Sequence, residues 1–200
     1  KTLSDLKCDF IDSFLLHRSD DLKNEDSDLL LNWLISLQKR KLVKKIGVSI
    51  YHESELNGLP MEKIQVIQVP VSLYNQNILS NKIVESITNL GIEIHARSCF
   101  LQGLLLSSSI NWPEFISTDF RKHHQRLEEH IIDLNISLLD ICIAFIKSLS
   151  FLDKIIIGIT SPRELDQLIE SWEKADKLMT ELKFDKWAWE NKNDMDPRSW

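Results

Sequence analysis

Apolar residues come along this chain in two alternating rhythms. Ile11 to Arg18 (Ile-Asp-Ser-Phe-Leu-Leu-His-Arg) is an apolar run too short for a buried helix, and it stops at a histidine and an arginine, which predicts a buried strand. Leu29 to Leu42 then repeats apolar residues at Leu30, Leu31, Leu34, Leu37 and Leu42 and ends in Lys39 to Lys41, the pattern of an amphipathic helix with charges suited to its C-terminal dipole. Strand signals return at Lys44 to Ser49, Ile64 to Ser72 and Ile92 to Ser98, and a helix from Asn81 to Leu90, closed by Gly91, lies before the last of these. The longest helical region runs from Asn111 to Leu149. Within it Ser137, with Asp140 three residues on, opens the apolar part Leu138 to Leu149. A fifth strand is predicted at Lys154 to Thr160, followed at once by a helix start in which Ser161 is the N-cap, Pro162 the first helical residue and Glu164 the capping partner. That helix is predicted to reach about Leu182.

Five strands separated by helices, with no hairpin signal, predict a parallel sheet with right-handed crossovers. Polar residues gather at the strand ends: His17, Ser49, Arg97 with Ser98, and Thr160 with Ser161. An open doubly wound sheet concentrates function at one switch point, whereas a barrel draws site residues from nearly every strand, so this spread favours a barrel. A (β/α)8 barrel needs about 250 residues, and five units cannot close one. The expected fold is α/β: an incomplete (β/α)8 TIM barrel, units four to eight, with the first three units absent. The abrupt opening at Lys1, on Thr2, Leu3 and Leu6 that read as the end of a helix, carries the same expectation of a piece of a longer protein. Residues 1–182 form the barrel portion in this reading. Residues 183–200, with Trp187, Trp189 and Trp200, form a tail whose indoles pack back on the body.

Composition narrows the classes. The 200 residues are 43% hydrophobic and 27% charged, an ordinary globular balance with one domain as the default. A formal charge of −6 without a Lys/Arg cluster argues against nucleic-acid and anionic-membrane partners, and leaves small-molecule ligands. The absence of a membrane-length apolar run or a signal-peptide core at the start predicts a cytoplasmic location. Cys8, Cys99 and Cys142 are widely spaced among apolar residues and read as free buried thiols in a reducing compartment.

Three places carry candidate chemistry. His17 would be delivered to the carboxyl end of a sheet, where α/β folds keep their reactions, although a lone strand-end histidine is more often structural. His124 and Glu128 have one-turn metal spacing, but Arg121, Lys122, Gln125 and Arg126 surround them, and a solvated helix face without metal is the reading adopted. Gly158 to Ser161 offers free N–H groups of a helix start to a phosphate, and is equally a plain helix cap.

The order of these motifs resembles the aldo-keto reductase family from its fourth strand onward. The matching stretches are Cys8-Asp-Phe-Ile-Asp-Ser-Phe-Leu-Leu-His17-Arg, Lys45-Ile-Gly-Val-Ser49, Gln65-Val-Ile-Gln68, Ala96-Arg-Ser98 with Gln102-Gly-Leu-Leu, and Gly158-Ile-Thr-Ser161-Pro-Arg-Glu-Leu. The ending Asp196-Pro-Arg-Ser-Trp200, together with Arg97-Ser-Cys-Phe-Leu-Gln-Gly-Leu-Leu-Leu, is similar to the reductases in bacterial surface-glycan gene sets, which implies a sugar-related substrate. The resemblance implies reduction of aldehydes or ketones with NAD(P)H and no metal. The family's aspartate, tyrosine and lysine come from its first three strands, and its strand-four histidine matches His17. Ser49 and Gln68 match the nicotinamide carboxamide contacts, with Ile50 where the family has asparagine. Arg97, Ser98, Phe100, Gly103 and Leu104 match the loop along the ring and pyrophosphate, with Cys99 replacing a proline. Gly158, Thr160, Ser161, Arg163, Glu164 and Gln167 match the adenosine end, where the family preference implies NADPH and the acidic Glu164 keeps NADH open. Two other outcomes stay in view: a nucleotide-binding barrel that regulates without turnover, and an inactive truncated product. The 200-residue chain alone is expected to be inert.

Overall fold

The computed structural model describes residues 2–76 and 80–200; Lys1 lies outside the described residues. In chain order the elements are α1 (Thr2–Leu6), β1 (Ile11–Leu16), α2 (Ser27–Lys39), β2 (Val43–Ser49), β3 (Val66–Pro70), α3 (Asn81–Asn89), β4 (Glu93–Arg97), α4 (Thr118–Leu134), α5 (Leu138–Ser148), β5 (Lys154–Ile155), α6 (Pro162–Glu181) and α7 (Lys192–Met195). The strands form one parallel five-stranded sheet in the order β1-β2-β3-β4-β5, as sequential strands joined by helical crossovers must. Its register puts Leu16 opposite Val48 and Ser49 opposite Gln68.

The chain divides into two compact units. The first is Lys1–Val69, Ile78–Ala96 and Phe151–Lys154, and the second is Pro70–Asn77, Arg97–Ser150 and Ile155–Trp200. In the first, Leu34 of α2 and the strand residues Ile46, Val48, Val66, Ile67 and Ile94 are buried, an apolar set that drives the sheet's packing. Gly91, at φ 70°, closes α3 in the left-handed conformation that glycine adopts without a Cβ penalty. One ion pair reports the sheet's curvature. Lys154 Nζ of β5 lies 3.2 Å from Asp12 Oδ2 of β1, although the two strands stand at opposite ends of the sheet order. Four flat strand spacings would separate them by roughly 19 Å. Standard bond lengths let the two side chains bridge roughly 9 Å. The sheet therefore curls inward as a barrel wall does.

In the second unit, Ser117 caps α4 by accepting from Phe120 N–H, and Asn135 ends it at φ 52°. Ser137 and Asp140 form the full reciprocal capping box at α5. Phe120, Leu127, Ile141, Phe145 and Trp187 are buried, and Tyr74 is fully enclosed.

The structure corrects four expectations. β1 is half-buried rather than buried, because it is an edge strand, with Asp12 out in solvent on Lys154 and Lys44. β3 stops at Pro70, two residues short of Ser72. The fifth strand is only Lys154–Ile155: β5 also stands at the edge, only β4 can satisfy its backbone, and residues 156–160 leave that ladder largely exposed. Cys8 is exposed, while Cys99 and Cys142 are buried. Burial pushes both thiols up, Cys99 to about 12, so they stay protonated and unreactive.

Candidate active site

Within the first unit, three of the residues singled out above fall into one row. Leu16 is paired with Val48, so His17 follows the β1 end as Ser49 follows Val48, and Ser49 is itself paired with Gln68. In-register neighbours of a parallel sheet stand about 4.8 Å apart, so an imidazole, a hydroxyl and a side-chain amide line the carboxyl ends of three adjacent strands. The ladder is extended past the pair by Ile50 N–H, which donates to the Gln68 carbonyl at 2.9 Å. Ser49 is buried, Gln68 half-buried and His17 exposed. The close approach of β2 to β3 depends on Gly47, whose missing Cβ would sit 2.0 Å from the Val66 carbonyl oxygen.

Glu55, which the sequence reading passed over, sits beside this row. Its Oε1 accepts from the N–H groups of Tyr51 and His52 at 3.1 Å each, and its Oε2 accepts from Ser19 Oγ at 3.2 Å. The signal was available as a strand-end serine followed by His52-x-x-Glu55, a capping box opened by histidine instead of the usual serine or threonine.

Within the second unit, the loop after β4 is wound into left-handed backbone. Ser98, Leu101 and Gln102 have φ of 55°, 45° and 55°, and Gly103 follows at 88°. Non-glycine residues hold this conformation only where surroundings enforce it, and such strain collects at functional loops. Leu101 and Leu104 are buried beneath the turn, Phe100 is half-buried, and Arg97 Nη1 donates to Ser98 Oγ at 3.1 Å. At the start of α6, Ser161 Oγ accepts from Glu164 N–H at 3.2 Å. The Glu164 carboxylate turns back onto Thr160, accepting from its N–H at 2.6 Å and its hydroxyl at 2.8 Å, and these bonds hold it below the ordinary carboxylate range. Gly158 and Arg163 are exposed, and Gln167 lines a cavity of about 490 Å3 with Leu106, Ser137, Asp140, Glu170 and Lys174.

The model of the Aldo/keto reductase family matches residues 1–183. The chain belongs to that family. Among solved structures, this aldo/keto reductase is similar to the aldo-keto reductase from Bacillus halodurans in its holo form, at 15% identity and a TM-score of 0.67, over 95% of this chain and 66% of that one. The apo form of the same protein matches at 15% identity and a TM-score of 0.67, over 95% of this chain and 67% of that one. The chain thus spans about two thirds of those structures. No curated protein matches it.

The aldo/keto reductase's histidine pair on α4 corrects the reading of a solvated face. His123 and His124 are buried, because Phe120, His123, His124, Leu127 and Ile131 form the helix's inward stripe and the charged neighbours point away. His124 Nε2 donates to the Ser107 carbonyl at 3.0 Å, which leaves Nδ1 to accept from Tyr74 Oη at 2.7 Å. His123 Nε2 donates to the Trp187 carbonyl at 3.1 Å, and its Nδ1 accepts from Arg126 at 3.1 Å. Burial lowers both imidazoles below their ordinary value, and both are neutral structural groups. Glu128 is engaged with Ser109, whose hydroxyl donates to it at 2.5 Å. Among the described residues no group of three or more His, Cys, Asp or Glu could hold a metal.

Proposed function

We propose that this chain serves an NAD(P)H-dependent oxidoreductase that reduces an aldehyde or ketone, with the row His17, Ser49 and Gln68 as the observation that carries the reading. In this reading β1 to β5 are the fourth to eighth strands of a (β/α)8 barrel in a cytoplasmic enzyme, and the carbonyl substrate is sugar-related. A carboxamide needs one donor and one acceptor partner, and Ser49 and Gln68 present both types side by side. When bound, the cofactor supplies the hydride. His17, at the open rim of the row, donates a hydrogen bond to the carbonyl oxygen as negative charge develops there. Arg97, Ser98, Phe100, Gly103 and Leu104 form the loop assigned to the ring and pyrophosphate. Gly158, Thr160, Ser161, Arg163, Glu164 and Gln167 take the adenosine end, where the cavity beside Gln167 falls in the 300–1,000 Å3 range usual for small-molecule pockets.

In the intact protein, His17→Ala is expected to lower kcat/KM for a reactive aldehyde such as nitrobenzaldehyde by about 10²–10³-fold while leaving the cofactor Kd unchanged, since one donor to a developing oxyanion is lost. Following NAD(P)H oxidation beside a fluorescence titration checks it. Unchanged turnover with weakened cofactor would remove His17 from the chemistry, and cofactor binding without any turnover would favour the regulatory barrel.

A specific observation favours NADH over NADPH. The Glu164 carboxylate already holds the Thr160 N–H and hydroxyl, the donors a 2′-phosphate would want, and it repels a second anion there. A ribose 2′-hydroxyl, by contrast, can donate to a carboxylate. NADH is expected to bind more tightly than NADPH, and Glu164→Gln should narrow the gap about tenfold by removing one charge. Tighter NADPH binding by the unaltered protein would reverse the assignment.

A further inference from the structure

The sheet's register between β1 and β2 ends at Leu16 and Val48, one residue short of His17 and Ser49. Beyond it, the described ties between the two loops converge on Glu55. Through Oε1 it fixes the backbone at Tyr51 and His52, directly after Ser49 and Ile50. Through Oε2 it holds the hydroxyl of Ser19, a residue only 2% exposed and two positions past His17. One carboxylate thus ties the chain just past each of two adjacent strands, across 36 residues of sequence. Bonds to an ionised carboxylate are the stronger kind, and two of these three are to backbone, which leaves little freedom in where each loop departs from its strand.

We propose that Glu55 is a positioning residue that locks the loop carrying His17 to the loop following Ser49, so that the imidazole and the hydroxyl keep a fixed spacing; the functional meaning of that spacing rests on the reading of His17 and Ser49 given above. The described partners of Glu55 are Ser19 and the Tyr51 and His52 amides, and it is assigned to neither substrate nor cofactor. Its effect is transmitted through Ser19 on one side and through the Tyr51 and His52 amides on the other. Ser19→Ala cuts only the first link and leaves the cap on the second loop whole. Glu55→Ala cuts both.

The test compares the unaltered protein with Ser19→Ala, Glu55→Ala and Glu55→Gln. The His17 imidazole is followed by NMR, and the Tyr51 and His52 amides by hydrogen exchange. Ser19→Ala is expected to shift and broaden the His17 ring signals while both amides stay protected. Glu55→Ala should do the same and also expose the amides. Glu55→Gln should restore much of both, because its carbonyl oxygen accepts from the amides and its NH2 can face Ser19 Oγ. In the intact protein, with cofactor and aldehyde, Ser19→Ala should lower kcat about tenfold at unchanged cofactor KM, the cost of a small misplacement of a reacting group. His17 signals that stay the same in both alanine variants would overturn the proposal, whatever the activity. A protein that binds no cofactor, yet shows the expected ring shifts, would overturn the functional reading and leave the Glu55 tie standing.

Discussion

Gly47→Ala should destabilise the protein by about 3 kcal/mol or more, the upper end of the cost of overpacking a filled interior. The added methyl would meet the Val66 carbonyl oxygen at 2.0 Å, with the Val66 carbonyl carbon at 2.8 Å and Cβ at 2.9 Å. Two of those three atoms are backbone, so no rotamer change relieves the clash. Nor can β2 move away, because Gly47 is paired with Leu15 on one side and Val66 on the other. The strain is relieved only by parting β2 from β3, which separates Ser49 from Gln68 two residues further on. Loss of stability and loss of cofactor affinity should therefore arrive together. Denaturant midpoints and a cofactor titration measure the two. Gly158→Ala is the matched control: a Cβ there meets nothing within 4 Å, and its effect on stability should stay within about 0.5 kcal/mol. A Gly47→Ala protein as stable as that control would show that the strands are not held at the distance the structure gives.

Much of this arrangement was legible in the sequence, for reasons that also mark where legibility ended. Val43, Ile46 and Val48 on one strand, and Ile64, Val66, Ile67 and Val69 on and just before the next, are apolar because these positions are covered, and Ser49 and Gln68 stood out as polar residues on those strands. His17, Ser49 and Gln68 stood out one by one, but the register that sets them in a row came only with the structure. The fifth strand was over-read because Ile155, Ile156, Ile157 and Ile159 have the composition of a strand, while extension depends on a neighbour's backbone, which composition does not encode. The α4 histidines were misread for the converse reason. Arg121, Lys122, Gln125 and Arg126 dominate the local polarity, but a helix shows only one stripe to the core. The stripe Phe120, His124, Leu127 and Ile131 has that period once His124 is counted as an apolar-facing neutral ring. Glu55 escaped notice because its local capping box opens on His52 instead of serine or threonine, and because Ser19, its distant partner, becomes a neighbour only through the pairing of β1 with β2.

Asp140→Ala should cost about 3 kcal/mol, the upper end for leaving hydrogen-bond partners of a buried carboxylate unsatisfied. Asp140 is 4% exposed at the start of α5. Its Oδ2 accepts from Ser137 N–H at 2.9 Å and Ser137 Oγ at 2.7 Å, and its Oδ1 accepts from Ser171 Oγ of α6 at 2.8 Å. Lys174 Nζ lies 3.7 Å away. Alanine would strand a helix N-terminal N–H and two serine hydroxyls and remove the Ser171 tie between α6 and α5. The pH dependence carries a signature of its own. Burial alone would raise this carboxyl, but the bonds from Ser137 and Ser171 and the charge of Lys174 outweigh it and hold it below its ordinary 3.8. A carboxyl depressed in the folded state contributes stability that is present above 3.8 and is lost as pH falls through the folded value. The buried His123 and His124, lowered from 6.5, act at higher pH: the unfolded chain takes up their protons first, so stability declines as pH falls below 6.5 toward the folded values. Denaturant unfolding across pH should show both declines in the unaltered protein. In Asp140→Ala the histidine step should persist and the step below 3.8 should shrink, from a starting stability already about 3 kcal/mol lower. An unchanged low-pH step in the variant would assign it to other carboxylates and leave Asp140 a bystander at the junction of α5 and α6.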